Sequence, residues 1–228
     1  MEGTGMEIDA GRLRARVTDL AGAEGALDLR GRVFRGGGCD RDAFDSGARH
    51  LVIEDPEGVV GCARLEVQRE ADIQKGYTAQ FYDLTAFAAA FRRVVEVGRI
   101  CLDPRCADPD APRLLLATLA RLVVRERALA LYGCASFPLE GTGLSRLTGQ
   151  TAPETWAPGR KAPETRDLTG PATPLPPLLR SYLSLGARVS DHGVVDRDLG
   201  TVHVCTALPI ADIPPRRAKL LRGMLAAA

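Results

Sequence analysis

"VVEVGRICL", residues 94–102, decides how the rest of the chain is read. Its run of Val, Ile and Leu marks a strand buried on both faces, as at the centre of an α/β sheet. Glu96 and Arg99 interrupt it. On a regular strand, side chains three apart point to opposite faces, and a charge on a buried face is costly unless it is paired. Gly98 stands between them, and a β-bulge of one extra residue there turns both groups to one side and frees a backbone N–H. The stretch therefore predicts a carboxylate, a guanidinium and a free amide on one spot.

Upstream, "HLVIEDPEGVVGCARLEV" (50–67) places two β-rich runs on either side of Asp-Pro-Glu-Gly and predicts a hairpin. "GRLRARVTD" (11–19) alternates apolar and basic residues, the period of a strand with one wet face. "LAGAEGALDLRGRVF" (20–34) carries a short helix stopped by the glycines at 36–38, and "LTAFAAAFRR" (84–93) a second. Downstream, "DAPRLLLATLARLVVRERA" (110–128) is the main helix, with Pro112 in its first turn and Asp110 as a cap. "LALYGCASF" (129–137) is another buried strand, so the Glu96 strand has a parallel neighbour reached through a crossover helix.

Residues 151–177 hold seven prolines, a density that predicts a surface loop without regular elements, or a lid over the site. "LLRSYLSLGARV" then gives a helix turning at Gly186 into a strand, and "HGVVDRDLGTVHVCTALPI" a final hairpin turning near Asp198-Leu199-Gly200. The return to strands after the loop predicts one α/β domain over residues 1–228 with a single mixed sheet and a bulged central strand. The tail, 214–228, combines basic residues with Leu220, Leu221, Met224 and Leu225 on a helical period, a modest membrane-surface signature.

A net charge of +1 over 228 residues excludes a globally basic nucleic-acid binder. No apolar run of about 18 residues is present and the N-terminus lacks a signal-peptide core, which predicts a cytoplasmic protein, peripheral at the inner face of the membrane if the tail engages it. Six cysteines without a C-x-x-C pair read as reduced thiols, four of them in apolar strands, and three histidines without ligand spacing predict no metal site.

The order of elements resembles the Gcn5-related N-acetyltransferase fold. The stretches "LRGRVF", "FDSGARHLVIED", "VVGCARL", "VEVGRICL", "YGCASF", "LPPLLRSYLSLGARV" and "VVDRDLGTVHVCTALPIADI" together resemble the ornithine acyltransferases of ornithine-lipid synthesis over residues 29–213. That resemblance implies transfer of a 3-hydroxyacyl chain from the phosphopantetheine of acyl carrier protein to the α-amine of ornithine, giving lyso-ornithine lipid, with no permanently bound cofactor. The acyl-homoserine-lactone synthases are more distantly similar. Their charged pattern overlays Arg30, Phe34, Asp45, Arg64, Glu96 and Arg99, which implies substrate-binding roles for the first four. The chain departs from the synthases after Phe34, where "RGGG" replaces their tryptophan, and from longer ornithine acyltransferases by a trimmed segment after "GCASF".

The donor also follows from charge. Coenzyme A enzymes of this fold cradle pyrophosphate on a Gly-rich turn opening the long helix, whereas this chain has "RCADPDAP" there, with Asp108 and Asp110. A carrier-bound pantetheine with a single phosphate fits better, and Arg105, Arg113, Arg121 and Arg125 are candidates to meet the carrier's acidic helix or are ordinary solvated arginines.

Acyl transfer to an amine needs that amine neutral. Glu96 is the candidate general base and an amide near Gly98 the candidate oxyanion donor. Arg99 either holds Glu96 or binds the acceptor carboxylate, and a structural ion pair is the plainer reading. Asp196 and Asp198 are candidates for the distal ammonium of ornithine or serve the turn they precede. Cys134 and Ser136 are candidates to line the pantetheine arm, and a nucleophilic role for Cys134 is disfavoured by its apolar strand. Alternative readings are acylation of lysine, glutamine or S-adenosylmethionine, and a non-catalytic sensor of acyl carrier protein.

Overall fold

Residues 6–226 are described by a computed structural model. In chain order they form β1 (Met6–Ala10), β2 (Leu13–Thr18), α1 (Glu24–Arg35), β3 (Arg49–Asp55), β4 (Gly58–Arg69), α2 (Glu70–Ile73), β5 (Tyr82–Asp83), α3 (Thr85–Ala90) and β6 (Arg93–Leu102). They continue with α4 (Asp110–Glu126), β7 (Ala130–Pro138), β8 (Gly159–Arg160), β9 (Thr165–Asp167), α5 (Pro177–Ser184), β10 (Arg188–Val189), β11 (His192–Asp196), β12 (Thr201–Pro209) and α6 (Pro215–Ala226). The fold is mixed α/β, as the sequence predicts. Two compact units divide it, Met1–Glu66 with Val97–Glu126 and Ala218–Ala228, and Val67–Glu96 with Arg127–Arg217.

In the first unit β1, β2, β3 and β4 are consecutive antiparallel neighbours. Leu13, Ala15 and Val17 are buried, as their alternation predicts. The β3–β4 hairpin turns at the predicted Asp-Pro-Glu-Gly, where the Asp55 carboxylate accepts the N–H groups of Glu57 and Gly58, and Gly58 takes a φ of 138° open only to glycine. α1 lays Ala26 and Leu29 on Val52, Cys62 and Cys101 and ends where Gly36 turns left-handed. α4 packs against β1, β2 and β3. Its first turn is served by Asp108, whose carboxylate accepts the Asp110 N–H at 2.9 Å. The sequence places that cap on Asp110, two residues late.

In the second unit β6 runs parallel to β7, registered from Val94↔Ala130 to Glu96↔Tyr132, which meets the expected crossover. β7 pairs antiparallel with β12 over nine positions, and β11 and β9 follow outward. One sheet face buries Tyr82, Phe87, Tyr132, Trp156 and Cys205, and the other Phe137, Leu147, Val195, Val202 and Val204. The proline-rich stretch departs from expectation. Its proline-free gaps form β8, which pairs with β5, and β9, which pairs with β11. Trp156 anchors it by packing edge-on to Phe87 and Phe91. Short elements survive because each lies between prolines rather than across one.

α6 forms where the tail predicts a helix, but the side chains of Leu220, Met224 and Leu225, on which its amphipathic reading rests, lie outside the described residues. Among the described residues no helix is long and apolar enough to cross a membrane. All six cysteines are free, and four of them, Cys62, Cys101, Cys134 and Cys205, stand on strands as expected.

Candidate active site

Glu96 is 5% exposed, yet its described partners are three N–H groups and no cation. The Thr78 N–H donates to Oε1 at 2.6 Å. The Tyr77 N–H at 3.1 Å and the Gln68 side-chain amide at 3.0 Å both donate to Oε2. Tyr77 and Thr78 open a single 3-10 turn, whose first N–H groups lack partners within the turn and are turned onto the carboxylate. Gln68 is itself fixed, because the Tyr132 hydroxyl donates to its Oε1 at 2.6 Å. Gly76 closes the arrangement. A Cβ there would overlap both Glu96 Oε2 and the Gln68 amide nitrogen, so only glycine lets the backbone pass this close.

A carboxylate offers about four lone-pair positions, two on each oxygen. Oε2 uses both of its own; Oε1 uses one among the described residues and keeps one. The site thus holds a buried carboxylate in one orientation with a single acceptor position open. Beside it, the Cys134 thiol donates to Thr78 Oγ1 at 3.7 Å, a position that serves packing rather than nucleophilic attack.

Arg99 belongs to a second network. Its Nε donates to Asp40 at 2.9 Å and its Nη2 to Asp42 at 3.3 Å, with the guanidinium 6.0 Å from the Phe34 ring. Arg30, 1% exposed, donates to the Asp40 carboxylate at 2.9 Å, the Asp40 carbonyl at 2.6 Å and both oxygens of Asp45. Arg64 joins Asp42 and Asp45 and lies over Phe44. Arg30, Phe34, Asp45, Arg64 and Arg99, singled out in sequence, are therefore brought together, with Asp40 and Asp42 as the aspartates that sequence reasoning missed. Arg30 and Asp45 spend their polar atoms on this network, which makes them holders of the loop after α1.

The strand irregularity falls on Arg99, whose φ is 51°, and not on Gly98, where the sequence places it. A left-handed non-glycine residue costs roughly 1–2 kcal/mol, which the ion pairs to Asp40 and Asp42 offset. Gly98 lies under the Arg64 guanidinium with ordinary contact distances, so its site has room for a methyl group.

Other candidates are dispersed. Asp196 gives Oδ1 to the N–H groups of Asp198 and Leu199, the turn role, and Asp198 is exposed. Asp196 faces Thr201, which faces Pro138, six residues along β7 from the Tyr132 that faces Glu96. At about 3.3 Å per residue this is roughly 20 Å, whereas the two nitrogens of ornithine span about 6 Å. Neither aspartate can take the distal ammonium of an acceptor whose α-amine meets Glu96. Ser136 is exposed on β7 opposite His203. Along the start and outer face of α4, Arg105 pairs with Asp103, Arg113 with Asp110 and Arg125 with Glu126, while Arg121 donates to the Glu7 carbonyl.

Buried groups shape the acid response, and His50, like His203, is pushed below the ordinary imidazole value by burial. Burial pushes the His203 imidazole down to about 4. Burial raises Asp45, but hydrogen bonds from Arg30 and the Asp42 N–H and the charges of Arg30 and Arg64 outweigh it, leaving the carboxyl below its ordinary value. A histidine depressed on folding is protonated more readily when unfolded, so its contribution is whole above about pH 6.5 and declines towards pH 4. Asp45 contributes above about pH 4 and its share is lost as the pH falls through its folded value. Urea unfolding is expected to show stability falling in both windows, with His203→Gln making the upper one shallower and His50 keeping the remainder. Constant stability from pH 7 to 4 would contradict this.

Residues 28–117 match the family model described as "Acetyltransferase (GNAT) domain". Strand, helix, hairpin, kinked strand, long helix and parallel strand make the chain a GNAT-type acyltransferase fold. MesI, a CoA-dependent acyl-homoserine lactone synthase, superposes with a TM-score of 0.54 at 11% identity, covering 94% of this chain and 96% of that one. FeeM, an N-acyl amino acid synthase from uncultured soil microbes, gives 0.52 at 12% identity, covering 88% and 92%. The sequence is 31% identical over 212 residues to the L-ornithine N(alpha)-acyltransferase of Rhodobacter capsulatus, covering 82% of this chain and 79% of that one. The chain belongs to the L-ornithine N(alpha)-acyltransferase family.

Proposed function

We propose that the protein moves a 3-hydroxyacyl group from the phosphopantetheine thioester of acyl carrier protein to the α-amine of L-ornithine, giving lyso-ornithine lipid. The observation that carries this reading is the single open acceptor position on the buried Glu96 carboxylate. The α-ammonium gives its proton to Oε1, directly or through one water, and the neutral amine attacks the thioester carbonyl. The oxyanion that forms calls for a hydrogen-bond donor such as a backbone N–H. Collapse breaks the carbon–sulfur bond and the pantetheine leaves as a thiolate, which takes the proton held by Glu96, while the second proton of the attacking nitrogen is released to solvent and leaves Glu96 ionised for the next turnover. Cys134 and Ser136 lie along the β7 path of the pantetheine arm. Arg30, Phe34, Asp45, Arg64 and Arg99 fix the loop after α1 and the kink.

A carrier donor suits the start of α4. Asp108 already occupies the Asp110 N–H that a pyrophosphate would need, and its charge repels one. Arg105, 81% exposed, Arg113, Arg121 and Arg125 supply the cationic face for the carrier. Exposed Arg216, Arg217 and Lys219 on α6 fit peripheral contact with anionic lipid. The test is thiol release from 3-hydroxyacyl carrier protein and from the matching acyl-CoA, with ornithine, lysine, glutamine and S-adenosylmethionine as acceptors. Release with ornithine and the carrier, at about 10²-fold or more over acyl-CoA, is expected, a gap of roughly 2.7 kcal/mol at 1.36 per decade. Release with another amine alone moves the substrate, preference for acyl-CoA moves the donor, and none at all leaves a sensor.

A further inference from the structure

We propose that Gln68, oriented by Tyr132, is a positioning residue that holds Glu96 Oε2 and thereby makes Oε1 the atom that accepts the proton. The inference rests on the reading of Glu96 as base. An amide presents an oxygen or an NH2 depending on its flip, and only the NH2 can face a carboxylate without repulsion. The acceptor-only carboxylate selects that flip, and the Tyr132 hydroxyl, donating to Gln68 Oε1, braces it from the other end. The Gln68 NH2 then shares Oε2 with the Tyr77 N–H, while Gly76 leaves room for this pair and no more. Gln68 is 1% exposed and buries an amide whose oxygen and nitrogen both have named partners, the arrangement of a fixed support rather than of a residue awaiting substrate. It stands on β4, Tyr132 on β7 and Glu96 on β6, so three strands define one carboxylate orientation. Among the described residues, the Tyr132 phenol touches Gln68, the Cys134 thiol lies on Thr78 Oγ1, and the Cys205 thiol, near enough to feel the Glu96 charge, is pushed up by burial and stays neutral.

The test is Gln68→Glu, which keeps the shape and replaces the donor with a second acceptor about 3 Å from Glu96. Two carboxylates at that distance share a proton, so the acid limb of the kcat/KM profile is expected to move up by one pH unit or more. Gln68→Met removes the donor without adding charge and is expected to lower kcat roughly 10- to 100-fold with the KM for ornithine held. Tyr132→Phe is expected to lower it about 3- to 10-fold, since the amide loses the brace on its oxygen but keeps its bond to the carboxylate. If Gln68→Glu fails to fold, Gln68→Met and Tyr132→Phe decide by the same split between kcat and KM. An unmoved acid limb in folded Gln68→Glu, or unchanged kcat in both other variants, overturns the inference. Glu96→Gln separates this failure from that of the underlying reading, because full activity there removes the base itself.

Discussion

Glu96→Gln is expected to lower thiol release at neutral pH by roughly 10²- to 10⁴-fold, the range a positioned general base supplies. The variant is isosteric, but it is not electrostatically neutral to its surroundings. Its amide must present an NH2 either to Thr78 N–H or to the pair formed by Tyr77 N–H and Gln68, and each lost donor costs about 1–3 kcal/mol. The choice that leaves only Thr78 unpaired is the cheaper one. A measured loss of stability near that range, together with the rate loss, identifies a group that both organises the 76–78 turn and accepts a proton. Loss of stability alone, with the rate of the folded fraction kept, would identify an organiser only.

Arg30→Ala is the largest expected change in stability. Arg30 donates to two carboxylates and one carbonyl in a place closed to solvent, and its loss leaves Asp45 with Arg64 and the Asp42 N–H, and Asp40 with Arg35 and Arg99. Breaking such a buried pair by removing one partner costs about 3–5 kcal/mol, which for a chain of this size lowers the melting temperature by roughly 6–20 °C. Arg30→Lys is expected to recover only part, because a single ammonium cannot span both aspartates and the carbonyl. A melting temperature unchanged in Arg30→Ala would mean that the network is ornamental and that the Arg99 kink is held by something else.

The elements legible in the sequence are those whose side chains keep a period. The 50–67 hairpin, the β6 strand, α4 and the terminal hairpin all announce themselves by alternation or by an apolar stripe closed with Gly, Pro or Asp. β1 was not, since Met6 and Ile8 between acidic neighbours are too short a pattern to separate from a loop. Of the site, the residues were legible and their pairing was not. Arg99 reaches Asp40 across 59 positions, and Glu96 is held by two backbone N–H groups that no side-chain pattern can advertise. The glycine at 98 drew the bulge in sequence because glycine bears a positive φ cheaply. The structure instead strains Arg99, which has two aspartates to hold it there. One signal for the clamp was available, Gly76 ahead of Tyr77-Thr78, the glycine that closes the turn from Ile73.

The most direct test of the central claim is the pH dependence of thiol release in Glu96→Gln beside the unaltered enzyme. If Glu96 takes the proton from the acceptor, the variant depends on ornithine that has already lost it. Its rate should rise about tenfold per pH unit through the neutral range towards the level of the unaltered enzyme, whose profile flattens earlier. A variant whose profile runs parallel to that of the unaltered enzyme at every pH, or that matches its rate near pH 7, would contradict the account.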